Sequence, residues 1–302
     1  MVGRVVEVAR EGAHLSVDRG FMRVSESGEE VGRVAVDDIS ALIIRGYGAT
    51  VSVNLVARLS DNGIPVVICG ANQSPDALIW PIRGHFEQGR RMQGQADAGR
   101  PMRKRLWRDL VSAKISAQAA VLDVLGRPDE RLRRLARSVK SGDPDNVEAQ
   151  AARRYWPRLM GDDFRRDRNS GGANAALNCG YTVLRAAAAR SILAAGLHPS
   201  LSINHESRGD ALRLADDLME PFRPYVDLLV LRLRAGESGE LDRDARAALA
   251  SVLTFDLTGP RGARPVQSCL DALAISLAMN FLGRDRKLDL PDGPLPLSGA
   301  AA

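Results

Sequence analysis

Hydrophobic and polar residues alternate along the first seventy residues, the pattern of β-strands that bury one face. The alternation is clear in VVEVA near the N-terminus and in GRVAVDD further along, and turn-forming residues separate these runs. Strands are predicted over residues 3–9, 14–17, 21–25, 32–36, 39–44 and 64–68. Residues 51–59 have helical spacing instead, and the Asn-Gly pair after them is a typical helix stop. Residues 1–70 are therefore predicted to form a small β-rich domain, with one helix.

The remainder of the chain changes to helical spacing. Residues 71–100 are polar and interrupted by glycines, which predicts a linker. Helices are predicted over residues 106–125, 129–140, 144–156 (with a stop at Pro157), 177–195 and 210–220 (with a stop at Pro221). Residues 289–302 have the composition of a disordered tail. The fold class predicted is α+β, with the N-terminal β-rich domain followed by a larger all-α domain over residues 101–288.

The composition excludes several protein classes. It is ordinary for a globular protein, with 45% hydrophobic and 26% charged residues. No run reaches the ~18 apolar residues that a membrane-spanning helix needs, and the N-terminus lacks the apolar segment of a signal peptide. Cys69, Cys179 and Cys269 are widely separated, which suits free thiols in a reducing compartment. A cytoplasmic protein without a membrane partner is therefore expected.

Positive charge is concentrated in the middle of the chain. Residues 81–170 contain 21 basic and 12 acidic residues, whereas the segments on either side are slightly acidic. The chain has only four lysines against 38 arginines, and a codon bias toward arginine explains most of that ratio but not the clustering. Because the arginine fork suits bidentate phosphate contacts, a band of arginines indicates nucleic acid binding; a solubilising surface is the open alternative. The candidate DNA-binding residues are Arg131, Arg133, Arg134, Arg137, Arg165, Arg166 and Arg168.

Acidic residues cluster on the helix predicted to begin near Asp210. Helical spacing puts Asp216, Asp217 and Glu220 roughly opposite its apolar stripe, with the last two one turn apart. These acids could simply form a solvated helix face. They could also, with His205 in the polar segment just before the helix, bind a divalent cation such as Mg²⁺ or Mn²⁺.

Two earlier positions have the same ambiguity. Glu148 lies near the start of its predicted helix, where the helix dipole stabilises an acid, so a structural role would account for it. Asn178, near the start of the next helix, would support the site or only cap and pack. We count it among the supporting residues.

Several motifs resemble one known family. LNCGY-x₃-R, GLHPSL, H-E-x₃-D and the eleven-residue run LADDLMEPFRP are similar to the CRISPR spacer-acquisition integrase, the nuclease of the CRISPR adaptation complex. The similarity is dense over residues 144–227 and is closest to the form found in type II systems. Two positions near the site depart from the family pattern, Ala149 where glycine is common and Cys179 where an aromatic residue is frequent.

The resemblance implies roles for individual residues. E-x₂-A-A-R-x-Y-W matches the family motif for the first catalytic carboxylate, Glu148 here. Glu148, His205 and Glu220 would then be the catalytic metal ligands, with Asp217 as a supporting carboxylate. The implied metal is Mg²⁺ or Mn²⁺, and the N-terminal β-rich domain is implied to mediate dimerisation.

The resemblance also implies a reaction and partners. The 3′-hydroxyl of a short captured DNA would attack a phosphodiester at the CRISPR repeat, so double-stranded DNA serves as both spacer precursor and target. The family assembles as a homodimer, two of which are bridged by a small ferredoxin-like partner, with the large RNA-guided effector nuclease as a further associate. On the residues alone, a non-catalytic nucleic-acid-binding scaffold and a metal-dependent hydrolase of small phosphates remain alternatives.

Overall fold

The structure is a computed structural model that describes residues 4–70, 75–79, 81, 85–206, 210–233, 241, 243–284 and 287–295. Its first part is rich in strands, as the alternating pattern predicts. The elements are β1 (Arg4–Val8), β2 (His14–Asp18), β3 (Phe21–Glu26), β4 (Glu29–Ala35), β5 (Ile39–Ile44), β6 (Thr50–Val51), α1 (Val53–Asp61), β7 (Val66–Cys69) and β8 (Pro75–Ile79).

These strands form two sheets within the described residues. One has the order β1-β5-β7-β8, in which β1, β5 and β7 run parallel and β8 is antiparallel to β7. The other has the order β4-β3-β2-β6, in which β4, β3 and β2 form an antiparallel meander and β6 runs parallel to β2. The part of the chain from β1 to β8 is hereafter called the β-region. Its hydrophobic core includes Leu15, Met22, Leu42 and Leu55.

The rest of the chain is mostly helical. It contains α2 (Gln88–Ala96), α3 (Arg100–Val124), α4 (Glu130–Ser138), α5 (Val147–Met160), α6 (Ala173–Ala194), α7 (Arg213–Met219), α8 (Arg223–Leu233), α9 (Arg243–Ala250) and α10 (Val266–Phe281). A 3₁₀ turn, Glu220–Phe222, joins α7 directly to α8. One large hydrophobic core spans these helices, and α3 and α6 contribute long buried stripes to it.

The strand β5 links the two regions. All six of its residues are buried, because both faces of the parallel sheet are covered. Leu42 and Ile44 belong to the β-region core, whereas Ala41 and Ile43 cluster with Ala186 of α6. The β-region therefore packs against the helices through the second face of its sheet.

The prediction of an α+β fold is confirmed, but several boundaries are wrong. The predicted linker, residues 71–100, contains β8 and α2, because short strand and helix signals among glycines resemble a loop in sequence. The predicted disordered tail begins too early: β11 (Gly293–Pro294) is buried and pairs with β9 (Asp256–Thr258), so residues 289–295 belong to the fold. Residues 296–302 lie outside the described residues.

The helical region is also not purely helical. The strands β9, β10 (Arg264–Pro265) and β11 form a small antiparallel sheet beside α10. Pro157 does not end α5, which continues to Met160; a proline in the last turn removes only one intrahelical hydrogen bond. In the described ranges, no helix is both long enough and apolar enough to cross a membrane.

Candidate active site

Glu148 is fixed by the way α5 begins. The Asp143 carboxylate accepts hydrogen bonds from the backbone nitrogens of Val147 and Glu148, at 2.8 and 3.1 Å. Asn146 caps the helix from a left-handed conformation with a φ of 50°, a geometry that asparagine tolerates well. The GDPDN segment thus ties down the first turn of α5, and Glu148 lies within that turn.

Glu220 lies where α7 ends and the 3₁₀ turn begins. Its side chain is buried, with 4% of its surface exposed, and Arg223 Nε lies 3.1 Å from its Oε1 atom. Arg223 is itself stacked over the Tyr181 ring, with its guanidinium carbon 4.9 Å from the ring centroid. Glu220 is therefore an interior carboxylate whose orientation is fixed from one side by an arginine.

Lys114 of α3 joins these two glutamates. Its Nζ atom lies 2.6 Å from Glu148 Oε1 and 2.6 Å from Glu220 Oε2. Burial alone would raise the pKa of Glu220, but the Lys114 and Arg223 charges outweigh it and hold that pKa below the usual range. Burial acts to lower the pKa of Lys114, yet the two glutamates hold it above its ordinary value. The cluster is therefore two carboxylates sharing one ammonium ion.

Asp217 organises the segment that carries His205. Its carboxylate is fully buried and accepts hydrogen bonds from the backbone nitrogens of Ile203, Asn204 and His205, at 2.6, 3.2 and 3.2 Å. The His205 ring binds the same carboxylate through Nδ1, at 2.7 Å. The ring also packs edge-on against Trp107.

The Asp217 contact determines the chemistry open to the imidazole. This hydrogen bond raises the pKa of His205, which burial opposes and the charges of Asp217 and Glu220 reinforce. Because Nδ1 is used by Asp217, Nε2 is the ring nitrogen that could bind a metal ion. A carboxylate behind a histidine is the usual way to orient such a ligand.

Gln95 holds the same segment from the other side. Its side-chain amide donates to the carbonyl oxygens of His198 and Leu201, at 2.9 and 2.7 Å, and its Oε1 accepts from the His198 nitrogen at 2.8 Å. Gln95 lies in α2, within the segment predicted to be a linker. Gly196, with a φ of 72°, lets the end of α6 approach α2, where a Cβ atom would come within 2.9 Å of His85.

A buried polar network is connected to Glu220 through Arg223. The Asp227 carboxylate accepts hydrogen bonds from the hydroxyls of Tyr181 and Tyr155, at 2.5 and 3.2 Å. Burial raises the pKa of Asp227 to about 7, although both hydrogen bonds oppose the shift. Tyr181 connects this carboxylate to Arg223, and through it to Glu220.

The site fits a divalent cation in the chemistry of its donors. Two carboxylates and an imidazole suit Mg²⁺ or Mn²⁺. Glu220 Oε2 is buried and lies close to Lys114 Nζ, but it accepts no well-aligned hydrogen bond among the described residues. Its attraction to the ammonium group is therefore mainly electrostatic. However, the described residues include no group of three or more His, Cys, Asp or Glu side chains already placed to hold a metal. The structure brings Glu148 and Glu220 together, with Lys114 between them.

The three acids predicted on one helix face do not together form a solvated surface. Asp217 and Glu220 are buried, so that interpretation is wrong for both. Asp216 is paired with Arg185, whose guanidinium also contacts Asp210. These ion pairs tie α7 to α6 and leave Asp216 outside the glutamate cluster.

Asn178 supports the arginine-rich segment before α6 rather than the glutamates. Its Oδ1 accepts from Arg166 at 2.6 Å and its Nδ2 donates to the Arg168 carbonyl at 2.8 Å. Arg166 also donates to Asn174 and lies 5.5 Å over the Tyr181 ring. Arg166, one of the candidate DNA-binding residues, is half-buried, because its guanidinium group donates to Asn174 and Asn178 and lies over the Tyr181 ring.

The predicted arginine face of α4 is more neutral than its sequence suggests. Glu130 pairs with Arg137 at 2.9 Å and with Arg133, and Asp123 also pairs with Arg133. Arg131 and Arg134 are exposed, and their guanidinium groups have no acidic partner among the described residues. Arg165 and Arg168 are exposed on the loop before α6, where Arg165 donates to the Asp162 carbonyl.

Sequence reasoning missed Lys114, Gln95 and Arg223. For Lys114 a signal was available: it is one of four lysines, and Leu110, Val111, Ala117 and Gln118 surround it on the buried stripe of α3. A lysine on a buried stripe requires a charged partner. For Gln95 no local pattern distinguishes a buried amide from a surface one.

A cleft of about 820 Å³ lies elsewhere, between the β-region and α9. It is lined mainly by apolar residues such as Val8, Val34 and Ala247, together with Glu7 and Arg246. None of the predicted site residues lines it. The cleft is therefore separate from the glutamate cluster.

Comparison with known proteins finds a relative by sequence and solved structures of similar fold, each covering most of this chain. The CRISPR-associated endonuclease Cas1 of Neisseria meningitidis is 32% identical over 288 residues, covering 94% of both chains. A casposase bound to an integration product superposes with a TM-score of 0.77 and 21% identity, over 95% of this chain and 92% of that one. A Cas6-RT-Cas1–Cas2 complex superposes with a TM-score of 0.69 and 17% identity, over 94% of this chain and 35% of that one.

The family model described as CRISPR associated protein Cas1 matches residues 6–246. That range includes all the predicted site residues. It confirms the resemblance inferred from LADDLMEPFRP and the neighbouring motifs. The chain belongs to the Cas1 family of CRISPR-associated proteins.

Proposed function

We propose that this protein is a metal-dependent DNA endonuclease and integrase that inserts short DNA fragments into a CRISPR array. One observation carries the proposal: Glu148 and Glu220, from two separate helical elements, converge on one buried cation position near an Asp217-oriented His205. The relatives support it, since one is named an endonuclease and another is a casposase bound to an integration product.

In the proposed site, Glu148, Glu220 and His205 Nε2 hold one Mg²⁺ or Mn²⁺ ion. When bound, such an ion neutralises phosphodiester oxygens and stabilises the departing alkoxide. Asp217 orients the His205 ring, and Arg223 holds Glu220 in place. The protein thus supplies fixed ligands and fixed charges before DNA arrives.

The reaction proposed is attack by the 3′-hydroxyl of a short DNA on a phosphodiester of the repeat. One bond to phosphorus forms as another breaks, the attacking hydroxyl gives up its proton as the leaving 3′-oxygen gains one, and no external energy source is required. Exposed arginines, Arg131 and Arg134 above all, would contact phosphates without reading sequence. Their role is to hold the duplex in register beside the two glutamates.

We further propose assembly as a homodimer, with a small ferredoxin-like partner bridging two dimers and the effector nuclease as a further associate. The Cas1–Cas2 complex among the structural neighbours supports a Cas2-type partner. A cytoplasmic location is proposed because the substrate is chromosomal and the cysteines, all three within the described residues, form no disulfide.

The test is strand transfer into a supercoiled plasmid that carries a CRISPR repeat. A short duplex with free 3′-hydroxyls is incubated with the protein, with and without the partner, in Mn²⁺, Mg²⁺ or EDTA. Joined product should require the metal and should be lost in Glu148→Ala, His205→Ala and Glu220→Ala. Glu206→Ala, an exposed acid next to His205, is the matched control and should retain activity.

Near-normal activity of any one ligand variant would remove that residue from the ligand set. A non-catalytic nucleic-acid scaffold is the second candidate, because Lys114 fills the cation position and a protein that needs no metal could keep it there. DNA binding that survives EDTA, with no joined or cut product even with the partner present, would favour the scaffold.

A further inference from the structure

Lys114 has an unusual position for a lysine in this chain. It lies near the middle of α3, where only 14% of its side chain is exposed, and its neighbours on the helix face belong to the main hydrophobic core. A buried ammonium ion is costly unless it is paired, and this one is paired twice. The two glutamates therefore offset the cost of burying this ammonium group.

The two contacts define one cation position. Glu148 comes from the first turn of α5 and Glu220 from the end of α7, and both carboxylates lie 2.6 Å from the same nitrogen. A small divalent ion binds carboxylate oxygens at about 2.1 Å, so an ion that binds both oxygens from the side on which Nζ lies would overlap the ammonium group. The lysine and such an ion cannot both occupy this position.

We infer that Lys114 is a built-in competitor of the metal ion: its ammonium group holds Glu148 and Glu220 together when no metal is bound, and it must leave before an ion can bind both. The inference rests on the proposed function, because it assigns the same two carboxylates to a metal. It adds that the metal ion displaces the Lys114 ammonium group when it binds, so the lysine partly sets the affinity of the site for the metal.

Competition differs measurably from a purely structural role. If Lys114 only held the site together, its removal would let the glutamates separate, and the metal would bind more weakly or as before. If Lys114 competes, its removal leaves the buried Glu220 and the half-buried Glu148 in need of a cation, and the metal binds more tightly. The metal-free protein should lose stability in either case, so the affinity is the decisive measurement.

The experiment uses the full chain without DNA. Mn²⁺ binding is measured by electron paramagnetic resonance and calorimetry for the wild type, Lys114→Met and Lys114→Gln. Lys104→Met, an exposed lysine near the start of the same helix, is the matched control. Thermal unfolding is followed for each protein in EDTA and in excess Mn²⁺, and circular dichroism confirms that each variant is folded.

Both Lys114 variants should bind Mn²⁺ about tenfold more tightly than the wild type, since the ion no longer displaces an ion pair. In EDTA their melting temperature should fall by roughly 5 °C, because the buried Glu220 and the half-buried Glu148 lose their cation. Mn²⁺ should raise it by more than in the wild type. Lys104→Met should match the wild type throughout.

Unchanged or weaker Mn²⁺ binding in both Lys114 variants would overturn the inference. Glu220→Ala separates this failure from failure of the proposed function. If the wild type binds Mn²⁺ and Glu220→Ala abolishes it, the metal site stands and only the role of Lys114 is rejected. If the wild type and both Lys114 variants bind no Mn²⁺ that depends on Glu220, the metal site and the inference are rejected together.

Discussion

The β-region and the helical region differ in whether they bury charged side chains. No charged side chain in the described part of the β-region is buried, and ion pairs such as Arg10–Glu26 lie in solvent. The helical region buries Asp217, Glu220 and Asp227, each with specific partners. Because burying a charge costs free energy that a pair only partly recovers, a fold that does so repeatedly in one place indicates a functional requirement there.

Removal of a carboxylate from each region tests this contrast most severely. Asp217→Ala leaves three backbone nitrogens and the His205 ring without their acceptor, so we expect a loss of about 3 kcal/mol in unfolding free energy. Strand-transfer activity should also disappear. Glu30→Ala, which removes an acid of β4 paired with Arg23 and Arg33, should leave the melting temperature almost unchanged. Equal losses in chemical denaturation would contradict the contrast.

A smaller effect is expected at Gln95. Gln95→Leu removes three hydrogen bonds to the segment that leads to His205, which should cost about 2 kcal/mol and weaken Mn²⁺ binding. Gln93→Leu is the matched control, because Gln93 is on the same helix and, among the described residues, its side chain donates only to the exposed Asp97. Mn²⁺ binding unchanged in Gln95→Leu would show that Gln95 does not position His205.

The pH dependence of stability sharpens the contrast further. Asp227 has a folded-state pKa of about 7, above its ordinary value near 4, so between these values the folded state holds a proton that the unfolded state has lost. This group therefore makes stability fall as pH rises from about 4 to 7. Asp227→Asn should remove that contribution. The difference in melting temperature between the wild type and the variant should therefore change from about pH 4 to 7 and level off above pH 7. A difference that varies with pH equally above and below 7 would argue against it.

The smallest effects should come from exposed arginines. Arg131→Ala combined with Arg134→Ala should leave stability unchanged but reduce the salt dependence of DNA binding by about two units of slope, one per phosphate contact. Arg133→Ala should change the slope less, because Arg133 is already paired with Asp123 and Glu130. Fluorescence anisotropy over a salt series measures both. Equal slopes in all proteins would place the DNA elsewhere.

The sequence predicted the order of elements better than their limits. Strand alternation and helical spacing are local, so the β-region and the buried stripes of α3 and α6 were predictable. Residues 71–100 were not: β8 is specified by its pairing with β7, and Gln95 of α2 is recognisable only beside His198 and Leu201. Pairing between distant segments leaves little trace in local composition.

The same limit applies to the site. Family motifs pointed to Glu148, His205 and Glu220, but spacing along the chain could not reveal that Lys114 lies between two of them. Arg166 looked like a DNA contact because its neighbours are basic, whereas its environment is set by Asn174, Asn178 and Tyr181. Charge in a sequence indicates how many ions there are, and only the fold shows which are already paired.

The double-sided burial of β5 has a thermodynamic consequence. Ala41 and Ile43 contact Ala186 of α6 while Leu42 and Ile44 complete the β-region core, so neither region can expose its side of the strand without disturbing the other. The two regions are thus one cooperative unit, expected to melt in a single calorimetric transition. Anyone who recombines Cas1 proteins by exchanging their N-terminal parts must carry the matching face of α6 along with the sheet.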